Sequence, residues 1–212
     1  MNTITARHIG KRIQKACVLK DVNLELEGGR IYAFQGENGS GKTMLFRVLS
    51  GLSLPTEGQI LYNGVDLHAK RRPQFNIGIV IEHASVFPQF TGMQNLLYLA
   101  KINNRIGETE VAAAMQRVGL EPYDARVVKK YSLGMKQRLL IAQAIMERPD
   151  FLFLDEPTSA IDKAGVTEVY EIVRQEAARG AVVLLTSHVD QDISALADVC
   201  YQMRNGEIVN EA

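Results

Sequence analysis

Long apolar runs, paired cysteines and an excess of either charge are missing from this 212-residue chain, and each absence removes a class of protein. No stretch approaches the roughly 20 apolar residues needed to cross a bilayer. The most apolar stretches, Phe151–Leu154 and Ala181–Leu185, have the length of buried strands. Met1–Thr5 lacks a charged region leading into an apolar core, so no secretory signal is expected. Cys17 and Cys200 are far apart and outside metal-ligand spacing, which suits two reduced thiols. The 24 basic residues balance 24 acidic ones, so no broad nucleic-acid-binding surface and no nucleic-acid partner are expected. Internal repeats and low-complexity tracts are lacking too. What remains reads as a soluble globular unit, long enough for a real core: one domain, with a lobe inserted.

The most informative run is Gly36-Glu37-Asn38-Gly39-Ser40-Gly41-Lys42-Thr43, which fits G-x-x-x-x-G-K-[ST] at every fixed position. Glycines let the backbone curl until successive N–H groups point inward at phosphate oxygens. Lys42 supplies a point charge for the β- and γ-phosphates, and the Thr43 hydroxyl suits Mg²⁺. Arg30–Phe34 reads as a strand entering the loop and Thr43–Leu49 as a helix leaving it. The partial positive charge of a helix N-terminus suits a polyphosphate.

Residues 1–35 alternate apolar and polar around glycine turns and are expected to form antiparallel strands. Gly58–Leu67 adds a hairpin through Asn63-Gly64, a pair that favours a tight primed turn. Ile77–Ile81 reads as a buried strand. From about Gly92 to Arg148 the spacing turns helical, and Pro149-Asp150 ends it. Strand and helix then alternate: Phe151–Leu154, a helix over Lys163–Ala178, Ala181–Thr186, and a short helix near Asp190–Ala197. Closing strands at Cys200–Arg204 and Glu207–Asn210 are joined by Asn205-Gly206. This alternation predicts an α/β fold with a mixed, mainly parallel sheet, an N-terminal antiparallel β subdomain and an inserted α-helical subdomain. The expected division is one domain over 1–212. Residues 1–83 and 149–212 form the core and β subdomain, and about 84–148 form the helical insertion.

Phe151–Leu154 ends in Asp155-Glu156, two adjacent carboxylates. After a good phosphate loop, the first carboxylate suits a Mg²⁺ ion and the second can take a proton from water. Without that loop the pair reads equally as a solvated strand end. Ser132 and Gly134 open an apolar helix over Leu139–Met146, offering a hydroxyl and free N–H groups. Locally, an ordinary N-cap explains them as well.

Taken together, these residues resemble the nucleotide-binding subunit of an ATP-binding cassette (ABC) transporter over nearly the whole chain. Residues 36–43 resemble its Walker A, 132–137 its signature, and 151–156 its Walker B. Ser159–Asp162 resembles the D-loop, and Thr186-Ser187-His188 the switch histidine. The resemblance implies a Mg²⁺-dependent ATPase with a P-loop NTPase core. It further implies that Gly36–Thr43 and Met44 hold ATP, and that Lys42, Glu156 as general base and His188 act on the γ-phosphate. Thr43, Asp155 and Glu82 would hold Mg²⁺. Ser132 and Gly134 would face ATP bound to a second ATPase subunit, identical or not, with Asp162 coupling the two sites. An integral membrane permease would dock near residues 82–98, keeping the chain cytoplasmic and peripheral on the inner face of the membrane. Phe87, Phe90, Met93, Leu96 and Tyr98 are candidates for that groove, with core packing an equal reading for each. The chain stops just after the last strand, so no C-terminal regulatory domain is expected. Non-transport cassettes usually carry paired domains or long insertions, neither of which is found here. A regulatory or structural nucleotide-binding subunit with little turnover is the alternative.

Three departures narrow this picture. Ile13 lies where the family stacks an aromatic residue on adenine, an interaction worth about 1–3 kcal/mol per base in nucleic-acid sites. Weak base discrimination, with GTP also accepted, is therefore expected. Met44 replaces a commoner Thr with little consequence. Glu82 replaces a common Gln, and His83 beside it reads as a bystander. Glu82, with Phe87-Pro88 and Thr91-Gly92 after it and the Ser-Leu-Gly-Met-Lys-Gln signature, makes the chain similar to cassettes of bacitracin and lantibiotic resistance exporters, which implies an antimicrobial peptide or similar amphiphile as cargo. A carboxylate there can ligate Mg²⁺ but repels ATP. Two like charges about 4 Å apart cost roughly 4 kcal/mol at an effective dielectric near 20. Turnover should therefore depend more steeply on Mg²⁺ than in Glu82→Gln. A Mg²⁺ titration of both proteins checks this, and equal dependence overturns it.

Overall fold

The computed structural model describes residues 1–68, 75–81, 86–187 and 195–211. Two long strands open the chain, β1 (Thr3–Ile13) and β2 (Ala16–Glu27), paired antiparallel. β3 (Ile31–Gln35) leaves for a second sheet and runs through the glycine loop into α1 (Lys42–Leu49). β4 (Glu57–Tyr62) and β5 (Val65–Asp66) return to the first sheet, whose order is β2-β1-β4-β5. Asn63 and Gly64 between them both take positive φ, 51° and 77°, the primed turn that Asn-Gly favours. The expectation that residues 1–35 all pair antiparallel is corrected at β3. That strand lies parallel to its two neighbours, because Ile31-Tyr32-Ala33-Phe34 is apolar on both faces and suits the centre of a covered sheet.

The second sheet is completed by β6 (Ile77–Val80), β7 (Phe151–Asp155), β8 (Val182–Thr186), β9 (Val199–Arg204) and β10 (Glu207–Glu211), in the order β10-β9-β3-β8-β7-β6. Every pairing in it is parallel except that of the edge strand β10 with β9. The mixed, mainly parallel sheet and the separate antiparallel sheet are as the sequence predicts. Alternation along the strands sorts the core onto two faces. Phe151 and Phe153 of β7, Tyr32 and Phe34 of β3, and Val182 and Leu184 of β8 face α1 and the antiparallel sheet. Leu152, Leu154, Ile31, Ala33, Val183 and Leu185 face the helices on the other side. On the first face Tyr62 is fully buried and its hydroxyl donates to the Leu49 carbonyl at 2.6 Å, pinning the end of α1. Burial pushes that phenol well above the ordinary tyrosine pKa.

The helical stretch resolves into α2 (Gly92–Asn103), α3 (Glu108–Arg117), a 3-10 turn (Val128–Lys130) and α4 (Leu133–Ile145). α5 (Lys163–Ala178) follows β7. Thr91 and Gln94 cap α2 reciprocally, and Ser132 caps α4 by accepting from the Met135 N–H at 3.1 Å. Among the described residues, no helix is long and apolar enough to cross a membrane. The short helix expected near Asp190–Ala197 falls largely outside the described residues.

α4 lies close against β6 because position 78 is a glycine. A Cβ there would run into the Ala144 carbonyl and come within 3.1 Å of a Leu152 methyl. Gly78→Ala should therefore cost about 1–3 kcal/mol, the usual scale of overpacking. Denaturant unfolding checks this, and an unchanged midpoint would contradict it.

Candidate nucleotide site

The glycine loop leaves β3, a central strand of the mixed sheet, and ends in α1. Gly41 immediately before the helix has φ 108°, a conformation that side chains rarely tolerate. Gly36 has φ 153°, and a Cβ there would strike the Met203 carbonyl and lie 2.7 Å from Ser40 Oγ. The two fixed glycines are thus needed for different reasons, one for backbone angle and the other also for space. Glu37, Asn38 and Gly39 form the exposed crown of the loop, while Ser40 is buried. Behind the loop, the turn joining β9 to β10 supports it, with the Gly206 N–H donating to the Ser40 carbonyl at 2.9 Å.

Lys42 is largely buried and turned back onto its own loop. Its Nζ donates to the Gly36 carbonyl at 2.6 Å and the Glu37 carbonyl at 3.1 Å. Burial pulls the ammonium below the ordinary lysine value, against the opposing influence of Glu156 and Asp155. Those carboxylates stand at the end of β7. Asp155 Oδ2 accepts from the Thr43 hydroxyl at 2.7 Å, so two candidate Mg²⁺ ligands far apart in sequence are brought into contact. Its Oδ1 accepts from Thr186 at 2.7 Å. The Thr186 oxygen in turn accepts from the Glu156 N–H at 3.0 Å. Glu156 has φ 52°, a left-handed turn that takes the chain out of the strand between the two acids. Asp155 is therefore tied inward, while Glu156, half-buried, lines a cavity of about 450 Å³ with Leu133, Lys136 and Gln137 of α4.

Ser132 and Gly134 line an adjoining cavity, of about 720 Å³, with Ile161 and Asp162, and Leu133 and Ala160 border both. Gly134 sits so close to the Ala160 carbonyl that a Cβ would lie 2.9 Å from it. Asp162 caps α5 by accepting from the Gly165 N–H at 3.3 Å. Ile13, at the tip of the β1–β2 hairpin, is 44% exposed, and Met44 packs against the core beneath α1. Glu82 and His188 lie outside the described residues, as does His83.

The structure adds two residues to which the sequence reading gave no role. Thr186 enters the sequence reading only as the first residue of the switch motif, yet is fully buried and holds both Asp155 and the backbone of Glu156. Arg138 of α4 donates to the Val118 carbonyl at 2.6 Å, pairs with Glu168 and lies 3.6 Å from Asp162. Local sequence offered no clear signal for it, since Lys136 and Gln137 precede it in the same polar turn of α4.

A parallel strand feeding a glycine loop into a helix, with an acidic strand end hydrogen-bonded to that helix, defines a phosphate-loop nucleotide-binding cassette. The pattern of the ABC transporter family matches residues 19–159. Over 205 residues the chain is 45% identical to an uncharacterized ABC transporter ATP-binding protein, YybJ, of Bacillus subtilis (strain 168), spanning 97% of this chain and 94% of the relative. It is 33% identical over 210 residues to the bacitracin transport ATP-binding protein BcrA of Enterococcus faecalis, spanning 98% and 68% respectively. Its fold superposes with a TM-score of 0.90 on a dimeric bacterial ABC transporter cassette, MJ0796, at 21% identity, covering 99% of this chain and 97% of that one. The chain belongs to the ABC transporter family as an ATP-binding cassette.

Thr186→Val keeps the shape of residue 186 but removes the hydroxyl, leaving Asp155 Oδ1 and the Glu156 N–H short of a partner. An unsatisfied buried polar group costs about 1–3 kcal/mol. The variant should lose stability on that scale, and thermal unfolding of the nucleotide-free protein measures it.

Proposed function

We propose that the chain is the ATP-hydrolysing subunit of a multi-subunit exporter whose cargo is an antimicrobial peptide or a similar amphiphile. The observation that carries the hydrolytic reading is the contact of Thr43 with Asp155 beside the buried Lys42, at the mouth of the glycine loop. Ser40 supports it, since its hydroxyl is buried without a hydrogen-bond partner among the described residues and so is left to serve a phosphate. A threonine hydroxyl and a carboxylate are hard oxygen donors of the kind Mg²⁺ takes. Thr43 and Asp155 would hold the ion, with Glu82 as a third ligand, and once bound it neutralises phosphate charge. Lys42 would release the loop carbonyls for the β- and γ-phosphates. Glu156 would accept the proton of the attacking water, and His188 would contact the γ-phosphate. Gly36–Thr43 and Met44 would line the triphosphate end, and Ile13 would cover the base.

Ser132 and Gly134 line a cavity that shares no residue with the one bordered by Gly36–Ser40, which supports their acting on a nucleotide held by a second cassette, identical or related. The helical segment, about 84–148, would be a lobe inserted into a core of 1–83 and 149–212. A permease would dock on that lobe. Phe87, Phe90 and Tyr98 form a surface cluster with ring centroids 5.6–6.2 Å apart, while Met93 and Leu96 are core residues. Asn95 holds the cluster's backbone, accepting from the Phe87 N–H at 2.7 Å and donating to its carbonyl at 3.0 Å. Docking there would place the chain on the cytoplasmic face of the membrane. The likeness to a bacitracin transport protein supports the cargo class. The alternative, a regulatory nucleotide-binding subunit with little turnover, would keep the same loop without the hydrolytic step.

The deciding experiment is turnover of the purified chain with Mg²⁺ across protein concentration, with ATP and GTP in parallel, beside Glu156→Gln. Turnover should rise more than linearly with protein and proceed with both nucleotides. It should fall by about 10²-fold or more in the variant, the scale of lost general-base catalysis. The variant should still dimerise with ATP. Neither turnover nor ATP-dependent dimerisation would favour the regulatory alternative.

A further inference from the structure

Away from the nucleotide site, α5 carries a carboxylate buried on its inner side. Glu176 is 2% exposed, and each of its oxygens meets an arginine from a different part of the chain. Arg117, the last residue of α3, lies 2.8 Å from Oε1. Arg179, just beyond the end of α5, lies 2.6 Å from Oε2. Both arginines make a second contact. Arg117 also donates to Gln175 Oε1 at 3.1 Å. Arg179 also donates to the Pro149 carbonyl at 2.6 Å.

Pro149 belongs to the short link through which α4 returns to β7, and Arg148 before it has φ 53°. Glu176 thus joins, through two guanidinium groups, the far end of α3 to the link where the helical segment re-enters the sheet. α3 packs chiefly on α2 and α4. Beside the ion pair a cavity of about 380 Å³ opens, lined by Ala113, Arg117, Ile145, Arg148 and Glu176. At this end of α3 the contact with α5 is polar, Arg117 meeting both Glu176 and Gln175.

We infer that Glu176 is a positioning residue, a buried clamp that fixes the angle of the helical lobe, and with it Ser132 and Gly134, relative to the phosphate loop. This rests on the proposed role of Ser132 and Gly134 in completing a nucleotide site. A buried ion pair suits such a clamp because removing one partner strands the other, so the arrangement is either made or broken. Arg179 follows Glu176 by three residues and stays with it. Arg117 comes from the other element, so its contact is the one that depends on where α3 lies.

The test uses the full chain with Cys17 and Cys200 replaced by serine and spin labels at Lys101→Cys on α2 and Glu25→Cys on β2. Arg117→Met keeps the aliphatic stem and removes the charge, Arg117→Lys restores the charge without the fork, and Arg117→Gln replaces the Met variant if that fails to fold. The Met variant should broaden the distance distribution between the labels and lower turnover at saturating ATP roughly 5-fold, the smaller end of typical intersite coupling. Its affinity for ATP as a monomer should be unchanged, and the Lys variant should recover part of both effects. An unchanged distribution, or unchanged turnover beside an active parent, overturns the clamp. If the parent itself has no turnover, the distance distribution alone decides the clamp, and the nucleotide reading fails separately.

Discussion

Asp155 is the point at which three distant parts of this cassette meet. Its carboxylate accepts one hydroxyl from Thr43 at the start of α1 and another from Thr186 at the end of β8. Thr186 in turn receives the N–H of Glu156. The parallel sheet makes this possible. β7 and β8 end side by side in register, Asp155 opposite Thr186, while β3 on the far side of β8 delivers the glycine loop. Parallel strands bring their carboxyl ends to one edge, so loop, acids and threonine converge where a ligand can reach them all.

The core beneath that edge has to be stiff, because hydroxyl–carboxylate contacts of 2.7 Å tolerate little drift. The sheet is covered on both sides. Aromatic rings from β3, β7 and α1 pack edge-on beneath the loop, Phe46 against both Phe34 and Phe153. Smaller aliphatics fill the face toward the helices. The base of the glycine loop is therefore anchored through α1, while its crown of Glu37, Asn38 and Gly39 stays exposed. The helices between β6 and β7 are held by different means: a glycine-permitted approach of α4 to β6, and charged contacts through Arg138, Arg117 and Glu176.

Much of the fold is legible where local chemistry decides it. The glycine loop, both Asn-Gly turns, the strand ending in two acids and the Ser132 cap all follow from residue type and short spacing. The failure at β3 is instructive, since the alternation around Leu24 and Leu26 stops at a Gly28-Gly29 turn that would serve a hairpin equally well, and the next strand belongs to the other sheet. Its change of partner is marked by the continuous apolar run Ile31–Phe34. The aromatic cluster shows the same limit. Phe87 and Tyr98 are exposed while Met93 and Leu96 are buried, although the four share one short stretch of chain.

What the sequence by itself determined is the nucleotide chemistry: a loop whose backbone angles demand glycine, a lysine, a threonine and a pair of strand-end carboxylates. Those follow because φ preferences, capping and period-two alternation act within a few residues. Only the tertiary structure decided that Thr186 holds Asp155, that Gly78 admits α4, and that Glu176 is buried between arginines from α3 and from the end of α5. Each of these depends on a partner far away in the chain. A side chain's burial and hydrogen-bond partners belong to the packed arrangement, and no local pattern encodes them.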